Sequence, residues 1–242
     1  MIRRRVILIP ALVVIAVGAT IGVIVANEAH GERVLCIGDS LMAQAGSAVT
    51  AALESKGYDV QVNAVPGSGL LDTRYDWPQT ASGLVANFNP DIVVAEFIGD
   101  YGLLGMRPGV APNSQTFFNA WRFAAQDLED ILTARHAQVY WVIGPPVAQP
   151  IGEHNLTILD QIYEMLTAPD TGSGHPPVIN MNSAFAAPSD GYTEYLPEPN
   201  GQSVQVRTPD GTHLTPAGES LFARVVAQTV KPVSPLRRII GT

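Results

Sequence analysis

One cysteine, Cys36, is all the sequence holds, so no disulfide can close within the chain. Cys36 sits in an apolar run and reads as a small buried hydrophobe, not as a reactive thiol. No cluster of cysteines and histidines has zinc-ligand spacing. Neither a G-x-G-x-x-G nor a P-loop pattern is present to cradle a phosphate. The expectation is therefore a protein with no metal and no cofactor. Basic residues are also scarce: 14 Lys and Arg stand against 22 Asp and Glu, a net charge of −8. Three of the 14 are Arg3, Arg4 and Arg5, so the rest of the chain carries 11 basic residues against 22 acidic ones, with no basic cluster. Binding to a phosphate backbone needs clustered cations, which excludes nucleic acid as an expected partner. No internal repeat is present.

What is abundant is apolar side chain, 46% of the 242 residues. That is enough for a folded core and excludes a mostly disordered chain. The length fits one domain once the N-terminus is set apart. There, Arg3–Arg5 precede an uncharged run from Val6 to Ala26, long enough to span a bilayer as a helix. Arginines on the near side predict an N-terminus kept inside and a body exported. The expected division is an anchor or signal at 1–27, a linker at 28–32 and a domain at 33–242, on the outer face of a cell membrane. Cleavage of a signal after Ala29 is the alternative.

Within 33–242, apolar runs of strand length recur at Val34–Ile37, Tyr58–Val62, Ile92–Ile98, Val139–Ile143 and Val178–Met181. Helical patterns separate them: Met42–Lys56 ending at Gly57 as a C-cap, Phe117–Arg135 with Phe118, Trp121, Phe123 and Leu128 at helical spacing, and Thr157–Leu166. The last, Pro216–Val230, has Thr215 placed to cap it and Pro216 at its first position. Alternating strands and helices predict a parallel sheet covered on both faces. Segments 101–113 and 168–177 read as loops, and 187–208 as a long excursion that can hold a small hairpin.

Ligands of open parallel sheets bind beyond the C-terminal strand ends. Gly38-Asp39-Ser40-Leu41, "NAVPGSG" (63–69) and "EFIGDYG" (96–102) follow the first three strands. A fourth segment, "TPDGTHLTPAG" (208–218), leads into the last helix. Asp210 and His213 are three apart across a Gly-Thr turn, which can fold the carboxylate onto the imidazole and leave the other ring nitrogen for a serine hydroxyl. Ser40 is then either a nucleophile or simply a helix cap. Ser68 and Ser173 lie between glycines but lack the G-x-S-x-G elbow and read as loop residues. His30, His136, His154 and His175 have no acid at triad-like spacing.

The pair of segments, Gly38-Asp39-Ser40-Leu41 early and Asp210-Gly211-Thr212-His213-Leu214-Thr215 late, resembles the first and last signature blocks of the SGNH hydrolases, also called GDSL esterases. The resemblance spans residues 33 to about 230. It implies an α/β fold, a flavodoxin-like three-layer α/β/α sandwich with a five-stranded parallel sheet. It further implies Ser40 as nucleophile, His213 as base and Asp210 as its orienting acid. Family oxyanion donors are the serine N–H, a glycine N–H and an asparagine side chain; Gly67 matches the glycine block best, with Gly69 second. The third block departs from the pattern. Where the family has Gly-x-Asn-Asp, this chain has Ile98-Gly99-Asp100-Tyr101, and Asp100 comes nearest to the missing asparagine. An ionised Asp cannot donate a hydrogen bond to an oxyanion.

The function expected from this resemblance is a serine esterase or lipase acting on acyl esters of a small molecule, lipid or glycan, on substrates such as envelope lipids or acylated glycans. An O-acyltransferase of the same fold and a weakly catalytic carbohydrate-binding module are the alternatives. Leu103, Leu104 and Met106 are expected either to line an acyl pocket or lid or to sit in an ordinary surface loop, and the N-terminal helix to contact the membrane.

Overall fold

A computed structural model describes residues 31–99, 107–167, 177–187, 191–198 and 200–233. The expected membrane-spanning run Val6–Ala26 lies outside the described residues. Among the described residues no helix is long and apolar enough to cross a membrane.

Five apolar runs become strands: β1 (Arg33–Gly38), β2 (Asp59–Ala64), β3 (Ile92–Glu96), β4 (Gln138–Ile143) and β5 (Ile179–Asn180). They form one parallel sheet in the order β2-β1-β3-β4-β5, the flavodoxin-like order. Val34–Ile37 and Ile92–Ala95 are fully buried, as strands covered on both faces must be. Successive side chains point to opposite faces and so divide between two cores. Val34, Cys36, Val94 and Val142 pack with α1 (Ser40–Glu54) and with the last helix. Leu35, Ile37, Val93 and Trp141 pack with α2 (Trp77–Phe88), α3 (Gln115–Thr133) and α4 (Pro150–Leu166). A one-turn helix α5 (Asn182–Phe185) and a hairpin of β6 (Tyr195–Pro197) and β7 (Ser203–Gln205) follow, and the last helix is α6 (Pro216–Thr229). The expected sandwich is thus present, and the 187–208 excursion does hold a small hairpin.

Several boundaries differ from the sequence expectation. Helix α1 starts at Ser40 because Asp39, one residue earlier, is its cap. It ends at Glu54 with Ser55 as C-cap, so Gly57 (φ +89°) supplies the left-handed turn two residues further on. Helix α2 gave no clear pattern: only Trp77, Ala81 and Val85 are buried along it. Helix α4 begins at Pro150, seven residues before Thr157, because Gly152 and His154 dilute its apolar periodicity. Phe123 on α3 faces outward at 59% exposure, under the guanidinium of Arg122. Thr215 caps α6 through the Gly218 N–H (3.2 Å), with Pro216 at the first turn, as expected.

Candidate active site

The end of β1 is crowded. A Cβ on Gly38 would sit 2.7 Å from Met42 Cβ and 2.8 Å from Glu96 Oε2, so only glycine fits. Asp39 then turns the chain. Its Oδ1 accepts the Leu41 N–H (3.3 Å) and its Oδ2 the Ile98 N–H (2.9 Å). Because Asp39 provides the cap, Ser40 is free of that task and opens the helix as its first residue.

Asp210 and His213 lie on a turn between β7 and α6. Gly211 takes φ +75°, and a Cβ there would strike Ala148. The turn is pinned from three sides: Thr208 N–H donates to the His213 carbonyl (2.9 Å), Ala148 N–H to the Gly211 carbonyl (3.0 Å), and the buried Arg207 Nη2 to the Pro146 carbonyl (2.8 Å). So held, His213 Nδ1 lies 2.7 Å from Asp210 Oδ2, and His213 Nε2 lies 3.1 Å from Ser40 Oγ. In the tautomer this pattern requires, Nδ1–H donates to the carboxylate and Nε2 accepts the serine proton. Partial burial pushes the Asp210 carboxyl up, but hydrogen bonds from the N–H groups of His213 and Thr212, from the His213 ring and from Thr208 Oγ1 outweigh it and hold it well below the usual carboxylate range. Asp210 is therefore an anion throughout the neutral range, able to stabilise an imidazolium.

Ser40 and His213 open on a cavity of about 640 Å³. Gly67 lines it with φ +71°. The N–H groups of Ser40 and Gly67 donate no hydrogen bond among the described residues, which leaves both for a ligand oxygen. Gly69 is buried and does not line the cavity. Ser68 is structural: its Oγ donates to the Val65 carbonyl (2.7 Å) and accepts Trp77 Nε1–H (3.1 Å). His136 and His154 are exposed and do not line the cavity; His30 and His175 lie outside the described residues. Cys36 is buried, its thiol pushed up by desolvation to about 12, as an inert core residue would be. Among the described residues no group of His, Cys, Asp and Glu could hold a metal.

Asp100, Leu103, Leu104 and Met106 lie outside the described residues. The apolar wall that is described comes from elsewhere: Val147 before α4, and Ile151 and Leu156 on it. Two amides also line the cavity and were missed in the sequence. Asn155, on α4, donates from Nδ2 to Asn113 Oδ1, and Asn113 takes φ +55° just before α3. Asparagine tolerates that backbone region better than most residues, which was the available signal.

A serine after β1 of a 2-1-3-4-5 parallel sheet, hydrogen-bonded to the histidine of an Asp-x-x-His turn before the last helix, defines the SGNH-hydrolase class. The chain belongs to the DUF459 family, proteins of unknown function, whose family model matches residues 33–229. No curated protein matches the chain. Solved structures share its fold at low identity. An acetyl xylan esterase is 17% identical, covering 82% of this chain and 100% of its own, with TM-score 0.60. A GDSL-like lipase from Bacteroides thetaiotaomicron is 14% identical, covering 81% of this chain and 86% of its own, with TM-score 0.55. A carbohydrate esterase of family 3 from Talaromyces cellulolyticus is 15% identical, covering 81% of this chain and 95% of its own, with TM-score 0.52.

Proposed function

We propose that the protein is a serine esterase that cleaves acyl esters through an acyl-enzyme on Ser40. The observation that carries this is the continuous chain Ser40 Oγ–His213 Nε2 at 3.1 Å and His213 Nδ1–Asp210 Oδ2 at 2.7 Å. Ser40 Oγ attacks the ester carbonyl carbon while His213 Nε2 takes its proton; Asp210 stabilises the resulting cation. The carbonyl oxygen becomes an anion facing the free N–H groups of Ser40 and Gly67. Collapse expels the alcohol, which receives the proton from His213. Water, deprotonated by His213, then releases the acid and restores Ser40. The apolar wall of Val147, Ile151 and Leu156 suits the acyl group. Neighbours of this fold described as acetyl xylan and carbohydrate esterases support an acylated glycan as substrate, with envelope lipid esters the companion class.

We place the enzyme outside the cytoplasm, anchored by 6–26, on the strength of Arg3–Arg5 and the apolar run that follows. The test is fluorophosphonate labelling of the full chain, with a panel of acyl esters in the presence and absence of sugar acceptors. Ser40→Ala should abolish labelling and His213→Ala should nearly do so, each lowering kcat by about 10⁶. Asp210→Asn should cost less, about 10⁴. Full turnover by Ser40→Ala refutes the proposal; transfer of the acyl group to sugar in preference to water would make the enzyme a transferase.

A further inference from the structure

Two buried carboxyls, Asp39 and Glu96, take no part in the proton transfers above, yet they lie directly under Ser40. Glu96 closes β3 and is fully buried; Asp39 follows β1 at 4% exposure. Gly38 pairs with Glu96 across the sheet, and its lack of a side chain makes room for Glu96 Oε2. The two carboxyls are neighbours, Asp39 Oδ1 taking the Leu41 N–H and Glu96 Oε2 the next N–H along, that of Met42. Two carboxylates can only accept, so a bond between the pair requires a proton on one of them.

Backbone donors sort the roles. Asp39 accepts N–H bonds from Leu41, Ile98 and Gly99. Glu96 accepts fewer, from Met42 to Oε2 (3.1 Å) and from the Asp39 N–H, and its Oε1 is buried with no partner among the described residues. A bare carboxylate oxygen there would carry an uncompensated desolvation cost, whereas a hydroxyl directed at Asp39 would not. Neither group has a lysine or arginine partner among the described residues.

We propose that Asp39 and Glu96 hold one proton between them, Glu96 donating to Asp39, and that this pair positions the nucleophile. The proposal rests on Ser40 being that nucleophile. The pair grips both borders of the oxyanion site: the first turn of α1 through Leu41 and Met42, and the exit of β3 through Ile98 and Gly99. With those N–H groups engaged, the Ser40 N–H is the first-turn donor left for substrate. Burial raises Asp39 to about 6, with its hydrogen bonds opposing, and raises Glu96 well above the usual range, with the Asp39 charge adding to the effect. Loss of the shared proton would put two adjacent anions against the site where an oxyanion must form. The other titratable groups on the surrounding elements are Arg33 and Cys36 on β1, Asp59 on β2, Tyr140 on β4, Glu54 at the far end of α1, and Glu219 and Arg224 on α6. His213 lies across Ser40, with Asp210 behind it. None of these bonds to the pair.

The test compares the full chain with Glu96→Gln and Glu96→Leu from pH 6 to 10, measuring the rate of fluorophosphonate labelling, kcat and KM on a short-chain p-nitrophenyl ester, and the urea midpoint. Wild type should show a falling limb at alkaline pH as the pair loses its proton. Glu96→Gln keeps a neutral donor; its rate at neutral pH should stay within about threefold and its falling limb should vanish. Glu96→Leu should lower kcat at least about tenfold with KM little changed. A falling limb shared by wild type and Glu96→Gln, or absent from both, overturns the proposal, as does a fully active Glu96→Leu. The urea midpoint stands apart from the catalytic assignment. A carboxyl whose folded value is raised holds a proton that the unfolded chain releases, so wild type should lose more stability than Glu96→Gln as pH rises above the ordinary carboxyl range; buried Glu129 and Asp160 add the same slope to both. Absence of Ser40 labelling in folded wild type defeats the esterase proposal; equal pH dependence of the two midpoints defeats the shared proton.

Discussion

Gln44 Oε1 accepts the Leu214 N–H at 3.1 Å, so the helix that carries Ser40 also holds the residue next to His213. Gln44 stands four residues after Ser40, about one helical turn along the same face. The proposed nucleophile and base are thereby fixed to each other by a bond outside the Ser40–His213–Asp210 chain.

Replacing Gln44 should therefore loosen the Ser40–His213 contact without touching substrate. Gln44→Ala is expected to lower kcat about tenfold with KM within twofold. Gln44→Glu, which keeps an acceptor, should recover most of the loss. Equal kinetics for Gln44→Ala and wild type would show that the bond contributes nothing to alignment.

Asp100 stands nearest to the asparagine the family uses as an oxyanion donor, although it lies outside the described residues. Asp100→Asn is expected to raise kcat on simple esters, with up to about 10²-fold available from one well-placed donor. A fall in kcat would assign Asp100 a different task, such as holding an acceptor hydroxyl.

Ile151 lines the cavity at 61% exposure, so it can be changed with little effect on folding. Ile151→Ser should shift acyl preference toward shorter chains, by about tenfold in the ratio of kcat/KM values for a long and a short ester. An unchanged ratio would move the acyl group away from this wall.

The Asp210 carboxyl sits well below its ordinary range when folded. Its contribution to stability is thus present above the ordinary carboxyl range and lost as pH falls through and below it. The difference in urea midpoint between wild type and Asp210→Asn should shrink steadily as pH drops from about 5 to 2. The comparison must be a difference, because burial raises Glu129 and Asp160 to about 7 and those groups act in the opposite direction. A constant difference would mean that the hydrogen bonds to Asp210 do not discriminate its charge.

Much of the fold was legible because β1 and β3 are buried on both sides and read as unbroken apolar runs, and because Thr215-Pro216 spells a helix start. The pairing of Ser40 with Asp210 and His213 was legible through two short signature blocks. The Asp39–Glu96 contact was not, because it depends on which strands are neighbours and on the register that sets Gly38 opposite Glu96. Neither residue type nor spacing along the chain announces it. The described part of the cavity wall was not legible for a local reason: Ile151 and Leu156 belong to a helix whose first turn contains Pro150 and Gly152, residues that read as loop. Asn113 and Asn155, 42 positions apart, meet only through tertiary packing.

Ser40 and His213 are separated by 173 positions along the chain. During synthesis at about 5–20 residues per second, the serine leaves the ribosome roughly 9 to 35 s before the histidine proposed to deprotonate it. Throughout that interval Ser40 is an ordinary alcohol. On the proposed mechanism, catalytic competence cannot precede the emergence of residue 213, and a product truncated before it would be chemically silent even if its sheet had formed.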